Sequence, residues 1–153
     1  SELMEAMEAD RKGRLGKKSK SRFEMDYNRY PALVEEEKRF KCSFEANVKD
    51  TLPDELADAV IRLLDLAGLR GINLELANGD IDDCIEDMAE SCKDETFTES
   101  IFNITKNLID RDIVLSLIKI FGLAKHLDID LLWHIEQKMR YNELRPKLSG
   151  KKY

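Results

Sequence analysis

The sequence predicts an all-α fold, and three of its features lead to this prediction. Only three prolines and seven glycines occur in 153 residues, so long uninterrupted helices are allowed. Aromatic residues make up 7% of the chain and β-branched residues are sparse, which argues against a β-sandwich or barrel. Apolar residues also recur at helical spacing through most of the chain. We therefore expect one helical bundle, a single domain over residues 1–153 with a hydrophobic core.

The apolar residues at three- and four-residue spacing define the expected helices. In the clearest of them, Pro53 suits the first turn and Gly71 marks the end. Its apolar stripe includes Leu56, Val60 and Leu63. The expected helices cover residues 1–12, 53–70, 80–92, 97–109, 111–127 and 130–143, with a short helix or irregular turn over 32–42.

A basic segment follows the first expected helix. Seven of the twelve residues from Arg11 to Arg22 are Lys or Arg, with Gly13, Gly16 and two serines between them. This composition predicts a flexible loop over about residues 11–29. The loop is either a solvated surface segment or one that attracts phosphate.

Charge and cysteine content exclude several classes of protein. A net charge of −6 makes the chain a poor general binder of nucleic acid polymers, whereas clustered carboxylates suit hard divalent cations. The three cysteines Cys42, Cys84 and Cys92 are odd in number and contain no CxxC, so neither a zinc site nor a disulfide framework is expected. Free thiols indicate a reducing, cytoplasmic location, and no stretch is apolar enough for a membrane partner.

Two pairs of acidic residues have a spacing that suits metal binding. In each of Glu2-x-x-Glu5 and Glu55-x-x-Asp58, the two residues share one helix face, with Cβ atoms roughly 5–6 Å apart. If the two helices pack side by side, four carboxylates converge and must either take up protons or bind cations. Oxygen ligands alone favour Mg²⁺, or Mn²⁺, over zinc.

The polar stripe of the second helix continues beyond this pair. Arg62 and Asp65 lie on the same side and are expected to orient the metal ligands. A di-iron carboxylate bundle would need Glu-x-x-His on paired helices. His126 and His134 both lack an acidic residue three positions before them, so they are expected to be packing or surface residues.

Three segments resemble, in the same order, the motifs of MazG-like nucleoside triphosphate pyrophosphohydrolases. The first metal helix of that family is similar to residues 1–11, SELMEAMEADR. The second metal helix is similar to residues 54–67, DELADAVIRLLDLA. The closing motif of the family is similar to residues 138–146, KMRYNELRP, together with residues 150–153, GKKY.

The resemblance implies a fold, a reaction and a set of site residues. The fold would be a MazG-like helical bundle, completed by oligomerisation and hence expected here as a homodimer. The reaction would be Mg²⁺-dependent hydrolysis of an NTP or dNTP between the α and β phosphates, giving the monophosphate and pyrophosphate. The implied metal ligands are Glu2, Glu5, Glu55 and Asp58, with Glu5 and Glu55 catalytic, Glu5 the expected proton acceptor, and Lys138, Asn142 and Arg145 the nucleotide contacts.

The chain departs from the compact family pattern in two places. The connection between Glu5 and Glu55 is longer than in the family, and the basic segment accounts for the added length. Residues 66–74 also resemble residues 123–131 at an offset of 57, which predicts a second, degenerate hairpin over about residues 97–143. Chance similarity between amphipathic helices is the alternative. At this offset Asp112 and Leu115 replace the metal pair, so the second hairpin would serve as scaffold.

Two questions stay open at the level of the sequence. A helical bundle that binds nucleotide or protein without turnover is the alternative to the enzyme. An HD-type phosphohydrolase is not expected, because no His-Asp dipeptide occurs. Tyr141 or Trp133 could stack on a nucleotide base, or either could belong to the core.

Overall fold

The computed structural model describes residues 1–72 and 81–145. Within these ranges it contains eight α-helices, one short 3-10 helix over Cys92–Asp94 and no β-strand, which confirms the predicted all-α bundle. None of the helices in these ranges combines the length and apolar character that a membrane crossing requires. The α-helices are α1 Glu2–Arg11, α2 Ser19–Arg29, α3 Glu36–Asn47, α4 Leu52–Leu69, α5 Ile81–Ser91, α6 Phe97–Ile109, α7 Ile113–His126 and α8 Leu131–Leu144.

The prediction of a loop over residues 11–29 is wrong for most of its length. The loop covers only residues 12–18, and α2 follows it. The reason is an aromatic anchor: the ring of Phe23 lies 5.7 Å from that of Phe40 and 5.5 Å from that of Trp133, measured between centroids. Burial of this ring against two other helices outweighs the charged composition of the segment.

The segment over residues 32–42, expected as a short helix or irregular turn, contributes to a regular helix in the structure. It forms α3, a helix of 12 residues that starts later and ends later than expected. Phe40 and Phe44 are four residues apart on one face and are both fully buried. With Phe23, Val48 and Tyr141 they form an aromatic cluster that joins α2, α3 and α8.

Helix α4 lies at the centre of the bundle and packs against α1, α7 and α8. Helix α5 packs along α7, and α6 contacts both α7 and α1. The main core forms where these helices meet, and its fully buried large side chains include Leu56, Val60, Ile101, Ile104, Ile120 and Leu123. The first turn of α4 is buried as well, although it contains Asp54 and Glu55. Buried acidic residues need partners, so this turn requires a specific electrostatic explanation.

The two segments of the faint internal repeat share one helix-ending geometry. The N–H of Ile72 donates to the carbonyl of Ala67 at 3.0 Å, and the N–H of Ile129 donates to that of Ala124 at 2.9 Å. Helices α1 and α6 end with the same kind of hydrogen bond, from an N–H to the carbonyl five residues earlier. In each case the residue just before the donor has a positive φ. A helix-ending motif common to four helices therefore accounts for the likeness. Duplication of a hairpin stays a prediction, and residues 73 and 74 of the repeat lie outside the described residues.

The cysteines and histidines behave as the sequence indicated. All three cysteines are free thiols. His126 is exposed, and His134 is buried, with its Nε2 3.3 Å from the hydroxyl of Ser19. Burial lowers the pKa of His134 to about 4, so the imidazole is neutral near pH 7 and serves packing.

Candidate carboxylate site

Helices α1 and α4 bring the four predicted carboxylates together. At the start of α1, a Glu2 oxygen lies 3.0 Å from the Nε of Arg62. Just past the end of α1, the carbonyl of Arg14 accepts a hydrogen bond from the N–H of Leu52, at the start of α4. The two helices therefore run antiparallel, and Glu2 and Glu5 of α1 face the acidic stripe of α4.

Glu5 of α1 lies beside Glu55 of α4, where its carboxyl group helps to raise the pKa of Glu55. Glu55 is only 6% exposed, whereas Glu5 lies at the exposed edge of the site. Burial, the charge of Asp54 and the contact with Glu5 raise the pKa of Glu55 to about 7. Glu55 can therefore give up a proton when a cation binds beside it.

Arg62 links the other two predicted ligands. Its Nε lies 3.0 Å from Glu2 and 3.9 Å from Asp58. Burial raises the pKa of Asp58, and the charges of Lys138 and Arg62 oppose this rise. Arg62 thus lies beside two of the predicted ligands, and its expected role of orienting them stays a prediction. Asp65 is exposed one turn further along α4, and its expected role stays a prediction.

Lys138 of α8 reaches the same site from a third helix. It is 8% exposed, and its Nζ lies 2.9 Å from the Oδ2 of Asp54. The backbone N–H of Asp50 donates to the same oxygen at 3.0 Å. Burial raises the pKa of Asp54, while the Lys138 ammonium and the Asp50 N–H oppose the rise. The buried acidic turn is therefore neutralised in part by a lysine from another helix.

Asp54 was not predicted as a site residue from the sequence. Its spacing contained a signal, because residues four apart on a helix share a face and Asp54 precedes Asp58 by four. The partner could not be identified in the same way, because Lys138 is 84 residues away. Only the packing of α8 on α4 brings the two side chains together.

The other predicted nucleotide contacts lie along α8. Asn142 and Arg145 follow Lys138 by four and seven residues and so lie along the same side of the helix. Asn142 is half-buried, and Arg145 is exposed with its guanidinium 5.4 Å from the Tyr141 ring centroid. Residues 146–153, which complete the closing motif, lie outside the described residues.

The two aromatic candidates for base stacking belong to the aromatic cluster. Tyr141 is buried, its ring stacks on Phe44 at 4.5 Å, and its hydroxyl donates to Glu45 at 2.8 Å. Trp133 packs edge-on against Phe23. The structure thus favours the core interpretation for both rings.

The basic loop over residues 12–18 packs directly on the first turn of α4. Besides the bond from Leu52 to Arg14, Gly16 approaches Pro53 so closely that a Cβ at Gly16 would lie 2.8 Å from Pro53 Cδ. The cationic residues of this loop, Lys12, Arg14, Lys17 and Lys18, are exposed. The loop therefore holds positive charge beside the turn that carries Asp54 and Glu55.

A large apolar groove of about 720 Å³ lies elsewhere, between α5, α7 and the start of α8. Its only wall residue from α4 is Leu64. Leu64 follows Glu55 by nine residues, which places the two on opposite faces of the helix. The groove is consequently separate from the carboxylate site.

The residues of the carboxylate site fit a hard divalent cation. Carboxylate oxygens of Asp50, Asp54 and Glu55 lie within 4.8 Å of one another. The Oδ1 of Asp54 is buried and has no hydrogen-bond partner among the described residues. A buried acceptor without a partner is costly, and a cation would satisfy it. An all-oxygen donor set of this kind suits Mg²⁺ or Mn²⁺.

Comparisons with known proteins provide no relative for this chain: no family model matches it, and neither a curated protein nor a solved structure shows significant similarity. The geometry of the carboxylate site and the sequence motifs of α1, α4 and α8 are therefore the features that indicate a function.

Proposed function

We propose that the protein is a Mg²⁺-dependent nucleoside triphosphate pyrophosphohydrolase, which converts an NTP or dNTP and water to the monophosphate and pyrophosphate. The observation that carries this proposal is the convergence of Glu2, Glu5, Glu55 and Asp58 where α1 packs against α4. The resemblance of the same helices to the metal helices of MazG-like enzymes gives further support. Mn²⁺ is a suitable substitute for Mg²⁺ with these oxygen ligands.

The acidic residues have two proposed roles, and Glu5 takes part in both. Glu2, Glu5, Glu55 and Asp58 would hold the cation, which would neutralise phosphate charge and polarise the phosphoryl group. Arg62 holds Glu2 and Asp58 in place through its contacts at 3.0 and 3.9 Å. Glu5 faces solvent and is the proposed acceptor of the proton from the attacking water.

The cationic residues bind the triphosphate. An ammonium has three donors, so Lys138 can hold Asp54 and a phosphate oxygen at the same time. Asn142 and Arg145 are the proposed contacts further along α8, and Arg14 and Lys17 of the basic loop add positive charge at the start of α4. This arrangement places cations on two sides of a carboxylate cluster, as a metal-bound polyphosphate requires.

The proposal is tested by measuring pyrophosphate and monophosphate from a panel of NTPs and dNTPs, with and without Mg²⁺. We expect equal amounts of both products, formed only with the metal. Loss of a residue that only orients a metal ligand lowers metal affinity or activity by about 10–100-fold. Glu55 is itself a proposed ligand, so Glu55→Gln is expected to lower turnover by at least about 100-fold. Glu86→Gln removes an exposed carboxylate that pairs with Lys125 and serves as the control. Release of inorganic phosphate, or of nothing from the folded protein, would contradict the proposal.

A bundle that binds nucleotide without cleaving it is the second candidate. Lys138 pairs with Asp54, and Arg62 contacts Glu2 and Asp58, so cationic side chains already offset part of the acidic charge without a metal. Calorimetric binding of a nucleotide without pyrophosphate release would favour this function. The cytoplasmic location and the homodimer stay predictions, and light scattering of the purified protein tests the dimer.

A further inference from the structure

We propose a second divalent-cation position at the turn between α3 and α4, held by Asp50, Asp54 and Glu55. It takes a hard cation such as Mg²⁺ or Mn²⁺ and lies beside the position framed by the α1 residues, with Glu55 shared between the two. The proposal depends on the cation chemistry of the proposed function, and it assigns a ligand set that neither acidic pair of the sequence contains.

The first argument is the state of the Asp54 carboxylate. Its side chain is 0% exposed, and its Oδ2 is occupied by the Lys138 ammonium and the Asp50 N–H. Its Oδ1 is buried without a hydrogen-bond partner among the described residues. An oxygen of Asp54 lies within 4.8 Å of oxygens from both Asp50 and Glu55. A cation among these three oxygens would provide the missing partner.

The second argument is the way Asp50 is held. Asp50 has a φ of +60°, a conformation that Asp and Asn tolerate better than most residues. The turn is fastened on both sides, because the Thr51 hydroxyl donates to the Val48 carbonyl at 2.6 Å and the Asp50 N–H donates to Asp54. Asn would satisfy this backbone equally well, so the turn itself does not require a carboxylate.

Exposure and charge identify the kind of ligand. Asp50 is exposed, so a cation here could enter from solvent and keep several waters, as Mg²⁺ usually does. When all three carboxylates are ionised, their combined net charge with the Lys138 ammonium is two negative charges. That charge matches one divalent cation.

The proposed cation position at Asp50 also lies near the basic loop that is proposed to attract the triphosphate. The basic loop over residues 12–18 packs on the same first turn of α4, through Leu52 and Pro53. A cation at Asp50 would therefore lie on the basic side of the site. This is the side suited to the pyrophosphate group, which carries most of the charge of the leaving product.

The test is Mn²⁺ binding to the full chain without nucleotide, followed by electron paramagnetic resonance of the free ion at pH 8. We expect two Mn²⁺ per chain in the parent protein. Asp50→Asn should lose one of them or weaken it at least tenfold, and Glu2→Gln should weaken the other. Asp128→Asn is the matched control, because Asp128 is also exposed and has a φ of +56°.

Equal number and affinity of bound Mn²⁺ in Asp50→Asn and the parent protein would overturn the proposal, including the case in which neither binds. Thermal unfolding of Asp50→Asn and of Asp50→Gly checks that both variants are folded, since either residue tolerates positive φ. Loss of one Mn²⁺ in a protein that releases no pyrophosphate would support the second position while contradicting the enzyme. The two failures are thus distinguishable.

Discussion

The buried pair between Lys138 and Asp54 allows a quantitative prediction. Lys138→Met keeps most of the side-chain volume and removes the ammonium that lies 2.9 Å from a fully buried carboxylate. Removing one partner of a buried ion pair costs about 3–5 kcal/mol. For a chain of this length each kcal/mol lowers Tm by about 2–4 °C, so Tm should fall by about 6–20 °C. Thermal and urea unfolding at pH 8 without divalent cations measures this change.

The pH dependence identifies the cause. Without the ammonium, the pKa of Asp54 in the folded state lies further above its unfolded value, so the folded protein binds a proton more tightly. Stability then increases as the pH falls, and the deficit of Lys138→Met should be largest at pH 8 and shrink towards pH 4. Adding Asp54→Asn should recover most of the loss. Lys125→Met breaks an exposed pair and should cost less than about 1 kcal/mol.

One result would refute this reasoning. A loss below about 1 kcal/mol at pH 8, or a larger loss that does not change with pH, would mean that Asp54 is not an ionised partner of Lys138. The lysine would then act in the site only through its own charge.

Three further predictions concern proton exchange, packing and substrate affinity. Because a cation displaces the proton held by Glu55, whose pKa is about 7, apparent Mn²⁺ affinity should rise about tenfold per pH unit up to pH 7 and level off above it; a flat titration would contradict this. Gly122→Ala would place a Cβ 2.5 Å from a side-chain carbon of α5 and should cost about 1–3 kcal/mol in urea unfolding. Gly68→Ala meets open space inside α4 and should instead stabilise by about 0.5–1 kcal/mol; effects of the same sign would show that α5 gives way. Arg14→Gln should raise KM for the nucleotide severalfold with little change in kcat, whereas Lys106→Gln on α6 should leave KM unchanged; equal KM values for both variants would place the basic loop outside the site.

The success of sequence reasoning differed between the helices. Helix α4 was predicted well, because its apolar stripe and its boundary residues Pro53 and Gly71 agree with each other. Helix α2 was missed because the seven cations between Arg11 and Arg22 dominate the composition of the segment that leads into it. The signal for the helix was the pair Phe23 and Tyr27, which lie one helical turn apart and both pack in the aromatic cluster. A pattern based on composition averages over the few residues that anchor a short helix.

The sequence predicted the acidic pairs of the candidate site but not all of their partners. Acidic residues three apart on one helix must share a face, so the Glu2–Glu5 and Glu55–Asp58 pairs could be recognised from spacing and from the family resemblance. Lys138 was expected to contact nucleotide, and the structure adds its ion pair with the buried Asp54. That pair depends on how α8 packs against α4, which no local spacing encodes.

The hydrogen bond between Arg14 and Leu52 has a consequence for how this arrangement can vary. The bond joins a residue just past the end of α1 to the first residue of α4, so the two ends of the intervening segment, which contains α2 and α3, lie next to each other. The closure entropy of such an excursion grows only slowly with its length. A change in the length of this connection therefore costs little closure entropy, provided that the aromatic contacts of α2 and α3 with α8 are kept. The antiparallel contact of the two helices, and not the distance between the motifs along the chain, sets the relative positions of Glu2, Glu5, Glu55 and Asp58.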